Sequence, residues 1–115
     1  MPEPARLNGI LVPLETTVAK YGITLMEWSY MLEDQDFACG CCGKVPSSGR
    51  LFIDHEHVRG WTKMPPEERR FYVRGLACYV CNRFVLNYRI NATLLRQAAD
   101  YLDRYSARNR QMREG

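Results

Sequence analysis

Two Cys-x-x-Cys pairs, Cys39/Cys42 and Cys78/Cys81, bracket the string Asp54-His55-Glu56-His57, and Asn82 follows the last cysteine directly. Pairs at this spacing can fold back and place four thiolates around one tetrahedral Zn²⁺. A two-residue gap lets one turn present both sulfurs, and Gly43 permits the bend after the first pair. Four thiolates leave no open position for a substrate, so such a zinc is structural. Cys41 is then the spare thiol, because adjacent cysteines rarely point at one ion. A three-cysteine site completed by His57 is the more elaborate alternative.

The string inside the staple holds both histidines of the chain. On a strand, His55 and His57 face one side while Asp54 and Glu56 face the other. Asp54 and Asn82 offer a carboxylate and an amide oxygen, hard ligands suited to Mg²⁺ with waters and a phosphate completing the shell. An imidazole with a reference pKa near ~6.5 is largely neutral at pH 7 and can accept a proton from water. Together these groups suggest a nuclease. For Asp54 and His55 to serve one site, the strand must twist or end between them. Two plainer readings stand beside this one: a polar strand with a solvated face, or a second, histidine-based zinc site.

Length and composition fit one small domain. A chain of 115 residues builds a core that is marginal without help, which metal binding can supply. The net charge of +3 is compatible with nucleic acid but also with many neutral-substrate enzymes. Five cysteines without an apolar leader point to a reduced, cytoplasmic setting, where paired thiols hold metal rather than form disulfides. No apolar run reaches the length of a membrane span.

The elements that position these groups follow from local patterns. Residues 1–15, with three prolines before residue 14, read as an irregular arm. A short helix over Thr16 to Tyr21 stops at Gly22. Thr24 and Glu27 form a capping box that opens a helix to Asp34, burying Leu25, Trp28, Met31 and Leu32. The two helices could be taken for a helix-turn-helix, but the acidic Glu27, Glu33 and Asp34 favour a packing element. Leu51 to His57 and Phe71 to Leu76 read as strands, with an exposed loop at Met64 to Glu68 between them. A helix enters through Arg83 to Asn87. The last helix carries an apolar stripe of Leu94, Leu95, Ala98, Leu102 and Tyr105, and residues 106–115 form a basic tail that frays.

At the level of combined motifs, the chain resembles the recombination endonuclease VII family of His-Me finger, or HNH-type, nucleases. The resemblance is carried by Cys39-x-x-Cys42-Gly43, Leu51 to His57, and Val73-Arg74-Gly75-Leu76-x-Cys78-x-x-Cys81-Asn82. Lys20 to Thr24, Tyr30-Met31-Leu32-x-x-Gln35 and Leu94 to Leu102 resemble phage members, so the likeness spans about residues 16–105. It implies an α+β fold, a zinc-stapled ββα-metal domain with flanking helices. It further implies that Asp54 and Asn82 hold Mg²⁺ or Mn²⁺, that His55 is the general base and that His57 positions the phosphate or orders the loop. Cys39, Cys42, Cys78 and Cys81 are its zinc ligands. The substrate implied is DNA, branched or linear, in the host cytoplasm if the chain is phage-encoded. Glu56 stands where the family has aspartate, and Arg83-Phe84-Val85 lacks the carboxylate that some junction-resolving members carry after the asparagine.

Arg59, Lys63, Arg69, Arg70 and Arg74 flank the histidine string and are candidates for contact with the DNA backbone. Arg69 and Arg70 adjoin Glu67 and Glu68 and equally suit a solvated loop. The stripe on the last helix could pair two copies of the chain or cover its own zinc site. A non-catalytic zinc module that binds nucleic acid or protein is the alternative to the nuclease. The joint presence of Asp54, His55 and Asn82 speaks against it.

Overall fold

Two helices open the body, α1 (Glu15–Lys20) and α2 (Leu25–Asp34), in a computed structural model that describes residues 3–114. The turn between them works because Gly22 adopts a φ of +74°, and a Cβ there would lie 1.9 Å from the Pro66 carbonyl oxygen. Helix α2 starts at the expected capping box. The Thr24 hydroxyl accepts from the Glu27 N–H and the Glu27 carboxylate accepts from the Thr24 N–H, each at 3.1 Å. A cap of this kind contributes about 1 kcal/mol. The helix buries Trp28 and Leu32, with Leu25 and Met31 half-buried beside them.

The N-terminal arm differs from its expectation. Residues 1 and 2 lie outside the described residues, but Arg6–Leu7 (β1) and Ile10–Leu11 (β2) form an antiparallel hairpin. Asn8 and Gly9 turn it with φ of 50° and 83°, the left-handed pair that a two-residue hairpin loop requires. Ile10 is fully buried with Val18, Trp28, Leu32 and Ile53, so the hairpin belongs to the core. Prolines at 4 and 13 flank the hairpin without interrupting it.

The second sheet pairs β3 (Phe52–His55) with β4 (Val73–Ala77), antiparallel, Phe52 opposite Ala77 and Ile53 opposite Leu76. A register shift falls between Asp54 and His55, and the strand ends there. Between the strands run a 3₁₀ turn at Trp61–Lys63 and the short helix α3 (Pro66–Arg69). Phe71, expected in the second strand, lies in a 3₁₀ turn at Arg70–Tyr72 and is exposed. The helix expected over Arg83 to Asn87 is a single wide turn at Cys81–Val85.

The last helix, α4, runs from Ala92 to Glu114, so the tail expected to fray continues the helix; residue 115 lies outside the described residues. Every residue of α4 is exposed. No residue of it is buried, so it presents no core-forming face to the cysteine cluster or the rest of the body. The radius of gyration of 17.7 Å reflects this projection, since a compact chain of this length has about 13 Å. No helix among the described residues is long and apolar enough to cross a membrane.

Candidate metal centre and active site

The two cysteine knuckles meet at the end of β4. The ligand atoms of Cys39, Cys42, Cys78 and Cys81 all lie within 4.8 Å of one another. Tetrahedral coordination with Zn–S near 2.3 Å separates sulfurs by about 3.8 Å, so this cluster fits a zinc ion with slight contraction. Cys41 is exposed and is not one of these four, though its thiol lies near enough to Cys81 to act on it. Backbone amides prepare the site for thiolates. Burial would raise the Cys39 thiol, but N–H groups of Cys42, Cys78 and Cys41 aimed at its sulfur outweigh that and lower it to about 6. Burial pushes the Cys81 thiol the other way, and the neighbouring cysteines add to it. A dication at the centre would relieve that opposition.

Gln35 ties the first knuckle to the sheet. Its amide nitrogen donates to the carbonyls of Ala38 (2.9 Å) and Leu76 (2.8 Å), and its carbonyl accepts from the Leu76 N–H (2.8 Å). The side chain acts as one residue of an added strand along β4. Gly40 and Gly75 leave it room, since a Cβ at either would come within 3.0 Å of the Gln35 amide group.

The register shift falls between Asp54 and His55, and the two side chains meet different neighbours. Asp54 is buried, 5% exposed, while His55 at the strand end is half-exposed and its ring lies 5.0 Å from that of His57. His55 stacks on Trp61 with ring centroids 4.1 Å apart and planes at 18°, and Tyr21 flanks both rings. Arg69 sits 4.3 Å from the same indole. Burial lowers the His55 pKa below its usual 6.5; the neighbouring His57, Arg74 and Arg69 lower it further, against the opposing pull of Asp54. His55 is thus a neutral imidazole at pH 7. His57 is exposed, and its Nε2 lies 3.2 Å from the Leu86 carbonyl oxygen, to which it donates when that nitrogen carries the proton.

Asp54 is not free. Arg74 donates from Nε to one carboxylate oxygen at 2.7 Å and from Nη2 to the other at 3.0 Å. The hydrogen bonds to Asp54 hold Arg74 more firmly in its charged form. Asn82, half-buried in the turn after Cys81, lines a cavity of about 530 Å³ with Tyr21, Trp28, Phe52 and Ile53. Asp54 instead lines a cavity of about 320 Å³ with Arg74, Gly75 and Leu86. The two oxygen donors suit Mg²⁺ in kind, but a cation at Asp54 requires Arg74 to withdraw.

The basic candidates divide into two groups. Arg69 donates to the carbonyls of Lys20, Trp61 and Thr62, and Arg70 to the Gly22 carbonyl and the Glu27 carboxylate. Neither lies free in a solvated loop; both pin α3 and its following turn against the α1–α2 corner. Arg59 and Lys63 are exposed, with no side-chain hydrogen bond or ion pair among the described residues. Sequence reasoning missed the aromatic packing on His55 by Trp61 and Tyr21, and the strand-like role of Gln35. Neither carries a local spacing signal.

A zinc-fitting cysteine cluster, a two-stranded hairpin ending in a buried aspartate and a neutral histidine, and flanking helices define a small mixed α+β metal-site protein. The chain belongs to the recombination endonuclease VII family, which it matches over residues 15–104. It is 34% identical over 87 residues to the Gene 59 protein of Mycobacterium phage D29, covering 74% of this chain and 46% of that one. The Gene 59 protein of Mycobacterium phage L5 is 32% identical over 87 residues, with coverage of 74% and 46%. The chain thus spans about half the length of the curated relatives it matches. No solved structure matches it at comparable significance.

Proposed function

We propose that this chain is the nuclease unit of a DNA endonuclease, with His55 as general base in hydrolysis of a phosphodiester bond. The observation that carries the reading is the strand end itself, where a register shift separates a buried carboxylate from the next residue, an aromatic-backed imidazole whose pKa is lowered. His55 accepts a proton from water, and the water oxygen attacks phosphorus in line with the leaving 3′ oxygen. The bond from phosphorus to the 3′ oxygen breaks and that oxygen takes a proton from solvent, so the products carry a 5′ phosphate and a 3′ hydroxyl. His57, exposed beside His55, positions the phosphate; Arg59 and Lys63 reach the backbone on either side. Asp54 and Asn82 are the residues that would hold Mg²⁺ or Mn²⁺, which when bound supplies charge neutralisation to the phosphate and the leaving oxygen. Zinc on Cys39, Cys42, Cys78 and Cys81 keeps the hairpin and Asn82 in place, and a reducing host cytoplasm keeps those sulfurs as thiols.

We assign branched DNA, a four-way junction, as the favoured substrate, with nicking of duplex as the lesser activity. Symmetric cutting of a junction calls for two sites related by a two-fold axis. The uncovered stripe of α4, with Leu95, Leu102 and Tyr105, is the surface we assign to that pairing.

The occupied Asp54 favours a second reading, a zinc module that binds nucleic acid without cutting it. Cleavage of a four-way junction and a matched linear duplex by the zinc-loaded chain, with Mg²⁺ supplied or withheld, separates the two. The nuclease reading expects Mg²⁺-dependent cutting that His55→Ala removes while DNA is still bound. Binding without cutting in every condition leaves the zinc module.

A further inference from the structure

Arg74 is half-exposed while the carboxylate it grips is almost wholly buried: their side chains are 41% and 6% accessible. Both oxygens of Asp54 are taken by one guanidinium, in the two-pronged geometry that makes Arg–carboxylate pairs strong. A buried carboxylate is costly to keep charged without a partner, so Asp54 stays ionised only while Arg74 or another cation holds its oxygens. Arg74 also reaches the Leu86 carbonyl at 3.4 Å, the same oxygen that His57 approaches, so it lies between the carboxylate and the exposed histidine. A phosphodiester beside His57 presents the guanidinium with an oxygen pair equivalent in geometry and charge to the carboxylate it already holds.

We infer that Arg74 is an exchange residue: it occupies Asp54 while DNA is absent, and transfers to a backbone phosphate when DNA binds, which opens Asp54 to a divalent cation. The inference rests on the reading of Asp54 as a cation ligand. It makes Arg74 a positioning residue whose first partner is a carboxylate and whose second is the substrate. Cation binding and DNA binding then become mutually dependent, since each favours the state in which Arg74 has left Asp54. A chain without DNA holds the catalytic cation weakly and discriminates against idle metal.

The test is Mn²⁺ binding, followed by the electron paramagnetic resonance of free Mn²⁺, on the zinc-loaded full chain carrying His55→Ala so that DNA stays intact. Binding by the DNA alone is subtracted. The parent should bind weakly and tighten on the order of tenfold when a duplex is added. Arg74→Gln should bind on the order of tenfold more tightly than the parent without DNA, and gain little from the duplex. Unchanged or weaker Mn²⁺ binding by a folded, zinc-loaded Arg74→Gln overturns the exchange. Should Arg74→Gln fail to fold, Arg74→Lys keeps the charge and loses the two-pronged grip. It should fall between the other two, and affinity equal to the parent overturns the exchange. Asp54→Asn distinguishes the two levels of failure. If Mn²⁺ binding depends on Asp54 but not on residue 74, the exchange alone is wrong; if it does not depend on Asp54, the cation-ligand reading falls and the exchange with it.

Discussion

Replacing Gln35 by methionine keeps the length of the side chain and removes all its hydrogen bonds, which makes it the most informative structural perturbation of the zinc site. Three bonds are lost: to the Ala38 carbonyl, to the Leu76 carbonyl and from the Leu76 N–H. They are not equivalent. The Leu76 carbonyl keeps the Gly40 N–H at 2.9 Å, so its loss is a single net hydrogen bond of about 1 kcal/mol. Leu76 is 1% exposed, and its N–H is left without a partner, a cost of about 1–3 kcal/mol. The Ala38 carbonyl, beside the first zinc cysteine, loses its bond too. The total is about 3 kcal/mol, a large share of the stability of a domain this small. Gln35→Glu should cost more, because a carboxylate oxygen then faces two carbonyl oxygens where the amide donated. Urea denaturation of the zinc-loaded variants reads this directly, and transfer of zinc to a chromogenic chelator should accelerate in parallel. A Gln35→Met protein within about 0.5 kcal/mol of the parent would refute the view of Gln35 as a surrogate strand residue.

Cys78→Ser should lose zinc and the cooperative thermal transition, whereas Cys41→Ser should lose neither, as metal analysis and calorimetry would show. If Cys41→Ser empties the site as Cys39→Ser does, the ligand set is wrong. His55→Ala should retain zinc, fold and DNA binding and lose cleavage by on the order of 10²-fold or more. The acid limb of the parent's pH–rate profile should lie below 6.5, since burial and neighbouring positive charge lower the His55 pKa. The same shift means that the unfolded chain binds the proton first, so stability falls as pH drops through 6.5 toward the lowered value. A limb centred above 6.5 would contradict the neutral imidazole. Gly22→Ala should be severely destabilising in urea, because the new Cβ meets the Pro66 carbonyl and the φ of +74° disfavours a side chain.

What the sequence made legible is chemistry held at short spacing. Cysteine gaps, the Thr24–Glu27 cap and the alternation around His55 each need only a few neighbouring residues to be read. Gln35 and Leu76 are 41 residues apart, and nothing in either neighbourhood announces the other. Trp61 belongs to a loop whose composition says turn, and only the folded hairpin brings it against His55. Arg69 and Arg70 carry charges that suit DNA, yet packing of α3 on the α1–α2 corner commits them to backbone carbonyls. The N-terminal hairpin is a different case: Asn8-Gly9 between Leu7 and Ile10 is a strong local turn signal, and the expectation of an irregular arm rested on the prolines alone. The fate of α4 was least legible. An apolar stripe specifies a face, and the partner of that face is not written in the stripe.

Because no residue of α4 is buried against the body, little couples the two in unfolding. Helix content in α4 is limited by its own local propensities, and a run of 23 residues is long enough to hold only partial helix in water. Heating should therefore melt it gradually. Both tryptophans, Trp28 and Trp61, lie in the body that carries the cysteine cluster, so their fluorescence reports a single sharp event there. Far-ultraviolet ellipticity sums the two processes and reaches its midpoint elsewhere. A discrepancy between those curves is what this architecture produces when the chain is dilute and native, and it should not be taken for a folding intermediate of the body.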